Sequence, residues 1–203
     1  MSLSLRTVIR RIPVIKRVYT SISVRIFKLI NKKNFLMSFM DSKFFLNIQE
    51  PIDKSLILFN YYENEQLNTS IEFIQNYKVN IFIDIGAHCG IYSLIIANKF
   101  NKIKIYSFEP IKKSYSRLLK NILLNNNPKN LKIFNYGLSS KNTKLRMKAL
   151  IKKNYIQLGG FGVTNDNENI ENNYITTAYF KKGDDILKFK NEIIFLKIDV
   201  EGH

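Results

Sequence analysis

Between residues 81 and 136 the spacing of apolar positions switches repeatedly between two periods. Short apolar runs at 81–85, 103–108 and 131–136 read as buried strands, while 91–100 and 112–125 carry helical spacing. Strands alternating with helices predict right-handed crossovers and a parallel sheet covered on both faces. Further strands are predicted at 174–180 and 193–199, with a short helix at 184–188 between them. Residues 144–150 and 155–158 read as an inserted hairpin, and the Asn-rich segment 165–173 as a surface loop. Upstream, 35–40 and 43–48 flank Asp41-Ser42 as a hairpin, followed by helices at 54–61 and 65–77. Residues 5–30 space Val and Ile among bases as one or two amphipathic helices, interrupted near Pro13. The chain thus divides into a basic extension (1–33), a hairpin with helices (34–79) and an α/β domain of Rossmann-like type (80–203).

At 203 residues and 45% hydrophobic content, the chain can bury one full core. Charge adds one feature to this picture. Of the net +16, residues 1–33 supply nine bases and no acid. The remaining excess accompanies a general richness in Lys, Asn and Ile, a bias that AT-rich coding produces without functional selection. The extension has the composition of a helix lying on an anionic membrane surface. It lacks interleaved aromatics and any recognisable nucleic-acid module, so nucleic acid is not the expected partner. Cys89 is the only cysteine, which excludes an internal disulfide and makes it a small turn residue rather than a nucleophile. No apolar run approaches the roughly 18–20 residues a membrane span needs, and no secretory signal is visible. The expected location is cytoplasmic, with peripheral contact at the inner membrane surface through residues 1–33.

The densest chemistry lies in Ile-Phe-Ile-Asp-Ile-Gly-Ala-His-Cys-Gly-Ile-Tyr-Ser, residues 81–93. A strand ends in Asp84, turns through Gly86, Ala87, His88 and Gly90, and enters a helix at Ile91-Tyr92. Such a turn lets backbone approach a ligand and presents unpaired N–H groups at a helix start. The next strand closes with Glu109-Pro110, where an acid can reach ribose hydroxyls. The glycines stand as Gly-x-x-x-Gly, with His88 where dinucleotide enzymes place a glycine beside pyrophosphate. An adenosyl cofactor without pyrophosphate fits better, and S-adenosyl-L-methionine is predicted, with Asp84 near its amino-acid end and Glu109 on both ribose hydroxyls. Period-two alternation in the last strand sets Lys197, Asp199 and Glu201 on one face, at the end where α/β sheets open their crevice. Asp199, with Glu201 or His203, is the candidate to orient or deprotonate an acceptor hydroxyl, and Lys197 to hold the acid's charge or bind substrate. No cluster has metal-ligand spacing, so no metal is predicted.

Asp84-Ile85-Gly86-Ala87-x-x-Gly90, Phe108-Glu109-Pro110 and Lys197-Ile198-Asp199-Val200-Glu201-Gly202-His203 together resemble the FkbM-type S-adenosylmethionine-dependent methyltransferases. The resemblance runs from Tyr62-Glu63 onward and takes in Asn121, Asn125 and Asp184-Asp185. It implies a class I methyltransferase three-layer sandwich and O-methyl transfer onto a hydroxyl of a sugar, glycan or related small molecule. It also implies cofactor contacts at Asp84, Gly86 and Glu109, and active-site roles for Asp199 and Glu201. The alternatives are a nucleic-acid methyltransferase or other nucleotide-cofactor enzyme on this scaffold, or an inactive fragment that binds membrane surfaces. Two positions depart from the family pattern: His88 stands where Asn is usual, and Gly183 where Leu precedes the paired aspartates. The family continues past Glu-Gly-His, whereas this chain stops at His203. The expectation is a C-terminally truncated chain whose incomplete sheet leaves an apolar edge, aggregation-prone and weakly active on its own.

Overall fold

Four apolar runs associate as the alternation predicts. In the computed structural model, which describes residues 4–152, 155–156, 158–164 and 173–200, they form one parallel sheet. Its strands are β3 (Ile81–Ile85), β4 (Lys104–Phe108), β5 (Leu131–Phe134) and β11 (Ile194–Ile198), in the order β11-β3-β4-β5. Helices α5 (Ile91–Lys99) and α6 (Lys112–Leu124) make the crossovers. The step β3 to β4 to β5 runs one way across the sheet, so right-handed crossovers set both helices on the same face. There Phe82, Ile105 and Phe195 meet Leu94 and Ile96 of α5, Leu118 and Ile122 of α6, and Leu67 and Ile71 of α4 (Asn64–Asn76). The opposite face presents Ile81, Ile83 and Phe108 to a thinner cover of Tyr136, Leu138, Ile186, Leu187 and Phe189. β11 pairs only with β3 among the described strands, leaving Leu196 and Ile198 exposed at the sheet edge.

The N-terminal third builds onto the helical face. Ser4 caps α1 (Leu5–Arg11) by accepting from the Thr7 N–H at 3.3 Å, and Pro13 opens α2 (Pro13–Leu29), where a missing N–H costs nothing. β1 (Asn34–Phe39) and β2 (Ser42–Asn47) form the predicted hairpin, and α3 (Pro51–Phe59) follows. Asn121 of α6 and its C-cap Asn125 fasten the edge of β2. Asn121 Oδ1 accepts from Phe45 N–H at 2.8 Å, and Asn125 Oδ1 accepts from Lys43 N–H at 2.9 Å. Four residues along a helix advance about 6 Å and two along a strand about 6.7 Å, so the side-chain amides match the strand's repeat.

A second sheet forms where an inserted hairpin was expected. β7 (Thr143–Lys152) pairs antiparallel with β8 (Tyr155–Ile156), as predicted, but also with β9 (Gly162–Val163) and along its length with β10 (Asn173–Lys182). β10 in turn pairs parallel with β6 (Gly137–Ser139). The run at 174–180 is therefore a strand of this separate sheet and not of the parallel one. β6 and β9 are too short for a two-residue period to reveal. Residues 165–172 of the predicted loop lie outside the described residues.

Candidate active site

The carboxyl ends of β3, β4 and β11 carry one row of polar side chains at a single register level. Asp84 sits opposite Lys197 on one side and Ser107 on the other. All three point to the helical face, because alternate residues of a strand share a side. Asp84, 1% exposed, accepts from Ser93 Oγ of α5 at 2.6 Å and from Lys197 Nζ at 3.1 Å. Ser93 and Ser107 share a hydrogen bond of 2.6 Å. Burial alone would lower the Lys197 pKa, but the charges of Asp84 and Asp199 outweigh it and hold the ammonium above its usual value. Lys197 is thus a fixed cation. Its Nζ lies 3.6 Å from Asp199 Oδ2 and 4.9 Å from the Tyr92 ring centre, and the Tyr92 hydroxyl donates to Glu63 Oε2 at 2.8 Å. Asp199 itself is 63% exposed, at the mouth.

The turn after β3 is held open by conformation and by contact. Gly86 (φ +81°) and Gly90 (φ +85°) lie in the left-handed region, as does His88 (φ +50°), a residue type enriched there among non-glycines. A Cβ on Gly86 would come within 2.0 Å of the Asp199 backbone oxygen, and one on Gly90 within 2.3 Å of Leu118 Cδ1. Asn121 Nδ2 donates to the Cys89 carbonyl at 2.9 Å, so the residue that clamps β2 also clamps this turn. Burial pushes the Cys89 thiol up to about 12, in keeping with a turn residue and not a nucleophile.

Glu109 closes the other side. Its Oε2 accepts from His88 N–H at 2.8 Å and its Oε1 from Ile111 N–H at 2.9 Å. Each oxygen keeps one further lone pair for a donor from outside the protein. Burial pushes this carboxyl up to about 7, although both backbone bonds oppose the rise. Above it, the His88 imidazole has neither nitrogen partnered by protein, and burial, reinforced by the Arg117 and Lys197 charges, pushes its pKa down to about 3. A neutral ring therefore offers one donor and one acceptor at neutral pH.

These groups line one cavity of about 290 Å³, near the small end of ligand sites. Asp84, Gly86, Ala87, His88, Tyr92, Glu109, Pro110, Lys197 and Asp199 all border it. Gly90 stands behind the turn against Leu118, while Glu201 and His203 lie outside the described residues. Asp184 and Asp185 sit exposed on the short α7 (Gly183–Ile186), away from the cavity lining. The far wall is apolar: Leu138, Met147 and Phe180 come from the second sheet, and Leu158 and Phe161 from the connection between β8 and β9. Sequence reading missed that wall, and with it Ile111 and Ile52. Tyr62, which carried part of the family resemblance, also lines the cavity.

Residues 84–203, more than half of the chain, match the methyltransferase FkbM domain. The chain belongs to the FkbM methyltransferase family. This family uses S-adenosylmethionine. A curated relative, methyltransferase sdnD of Sordaria araneosa, is 40% identical over 68 residues, which are 33% of this chain and 26% of the relative. The matched part thus spans about a quarter of that relative's length. Among solved structures, a SAM-dependent methyltransferase of Agrobacterium tumefaciens aligns at a TM-score of 0.41 and 9% identity, covering 52% of this chain and 33% of that one. TYW2 of Pyrococcus horikoshii in complex with MeSAdo aligns at 0.40 and 16%, covering 61% and 49%.

The FkbM cofactor can be tested against the residues present. The partnerless His88 nitrogens and the spare lone pairs of Glu109 are what a polar nucleoside ligand requires. The residues fit the group. No described helix is long and apolar enough to cross a membrane.

Proposed function

We propose that this chain is an S-adenosylmethionine-dependent O-methyltransferase that acts on a hydroxyl of a sugar, glycan or related small molecule. The observation that carries the reading is that Asp84 and Glu109, from neighbouring strand ends, border the same cavity as the glycine turn between them. Glu109 would hold the ribose hydroxyls, His88 and the Asp84–Lys197 pair the amino-acid end, and the apolar wall the adenine. S-adenosylmethionine, when bound, would supply a sulfonium methyl to an acceptor oxygen, with the demethylated thioether as the leaving group. The chain's own part is to position and to keep water out. Asp199, at the mouth, orients the acceptor hydroxyl and takes its proton, while Lys197 stays charged beside it. The sugar or glycan class comes from the family resemblance and not from any feature of the cavity.

Calorimetry of S-adenosylmethionine and its demethylated product against wild type, Asp84→Ala and Glu109→Ala tests the site. Wild type should bind both ligands, and each variant should lose at least tenfold. Binding that survives both substitutions would sink the proposal. Proton linkage gives a second check. Ribose hydroxyls can both donate only to an ionised Glu109, whose pKa stands at about 7. Affinity for the demethylated product should therefore fall by up to about tenfold per pH unit below 7. Titrations at pH 8 and pH 6 measure this, and Glu109→Gln should flatten the dependence.

A further inference from the structure

α2 has two apolar faces, and only one of them touches the protein. Tyr19, Val24 and Phe27 pack inward against the core, with Tyr19 5.9 Å from the Phe59 ring and Phe27 4.8 Å from Phe35. At about 100° per residue, Ile15, Val18, Ile22, Ile26 and Leu29 fall on the far side as one stripe. They are 45%, 52%, 52%, 49% and 86% exposed. Arg17, Arg25 and Lys28, all exposed, run along one flank of that stripe. Residues 1–33 hold nine bases and no acid.

From this pairing of an outward aliphatic stripe with unbroken positive charge, we infer that α2 docks the protein on an anionic phospholipid surface. The stripe would enter the headgroup boundary while the flanking bases reach lipid phosphates and carboxylates on flexible stems. Other occupants satisfy half of the surface. A second copy would bury the stripe but set two segments of nine bases each face to face without an acid between them. A nucleic acid would meet the bases and leave the aliphatic stripe in water. At 17 residues the helix lies on a bilayer and does not traverse one. The inward face fixes it to the domain, so the whole protein is carried to the surface. This inference is independent of the cofactor reading.

Sedimentation of the full chain with vesicles tests it. Vesicles of phosphatidylcholine containing about one-third phosphatidylserine should retain the protein, pure phosphatidylcholine should not, and raised salt should weaken retention. Ile22→Asp/Ile26→Asp should cut binding at least tenfold, and Arg17→Glu/Arg25→Glu should do the same by removing charge complementarity. Neither pair touches the inward face, so melting temperature and binding of the demethylated cofactor should match wild type. Equal retention on neutral vesicles would overturn the inference. So would undiminished binding by either variant, or a lipid-free dimer that Ile22→Asp/Ile26→Asp dissociates.

Discussion

Gly86→Ala should lose about 3 kcal/mol or more of stability, on two separate grounds. At φ +81° an alanine meets the left-handed penalty of about 1–2 kcal/mol. Its Cβ would also stand 2.0 Å from the Asp199 carbonyl oxygen, a backbone atom that cannot rotate aside. Moving that carbonyl strains the 3.0 Å bond from Asp199 N–H to the Ile85 carbonyl, which ties β11 to β3 at the cavity mouth. Overpacking of this kind costs about a further 1–3 kcal/mol. Urea denaturation measures the loss, and any folded fraction should fail to bind the demethylated cofactor. Gly159→Ala is the control: a Cβ there meets nothing within 4 Å, so the change should stay within about 0.5 kcal/mol. A wild-type midpoint for Gly86→Ala would show that the turn is not rigidly packed on β11.

Arg117→Ala should cost about 3–5 kcal/mol, for a different reason. Arg117 reaches from α6 to Asp53 at the start of α3, hydrogen-bonded to its Oδ2, with Glu50 at 3.9 Å. Asp53 is fully buried and Glu50 1% exposed. Burial raises the Asp53 pKa, while Arg117 and the Asn47 N–H at 2.6 Å act against the rise. Removing the guanidinium leaves the buried Asp53 carboxylate in a low-dielectric site without its cation. The sign of the pH dependence follows. With its lowering partner gone, Asp53 binds its proton more tightly in the folded chain than in the unfolded one. The variant should then gain stability as pH falls from 7 toward 5. Arg117→Met/Asp53→Asn should recover part of the loss, because the amide oxygen still accepts from Asn47. Chemical denaturation at pH 7 and pH 5 separates these outcomes, and a variant equally stable at both values would contradict them.

The sequence carried the parallel sheet almost to the residue, since β3, β4 and β5 are short, mainly apolar runs alternating with helices of clear period. It also carried the polar tips, because an acid ending a buried strand beside two glycines has few cheap places to go. Three things were hidden. The second sheet depends on pairing between β7 and β10, whose partners lie about thirty residues apart and whose outward residues show no single period. The Arg117–Asp53 pair joins residues 64 positions apart, and Arg117 alone reads as the solvated face of an amphipathic helix. Glu109 was expected to take both ribose hydroxyls. In the structure each of its oxygens also holds a backbone N–H of the turn, so the same carboxylate shapes the cavity and faces it. Alternation along the last strand correctly put Lys197 and Asp199 together, but the bond from Lys197 to Asp84 across the sheet could not be seen without strand order.

Asn121 has a practical consequence for anyone trimming this protein. One carboxamide grips the hairpin through Phe45 and the turn through Cys89, so the walls of the cavity extend upstream of the homology that defines the family. A recombinant piece begun at the first matched residue, 84, would sever β3 within its own length and discard the hairpin that the side chain anchors. Cutting just ahead of Asn34 spares both.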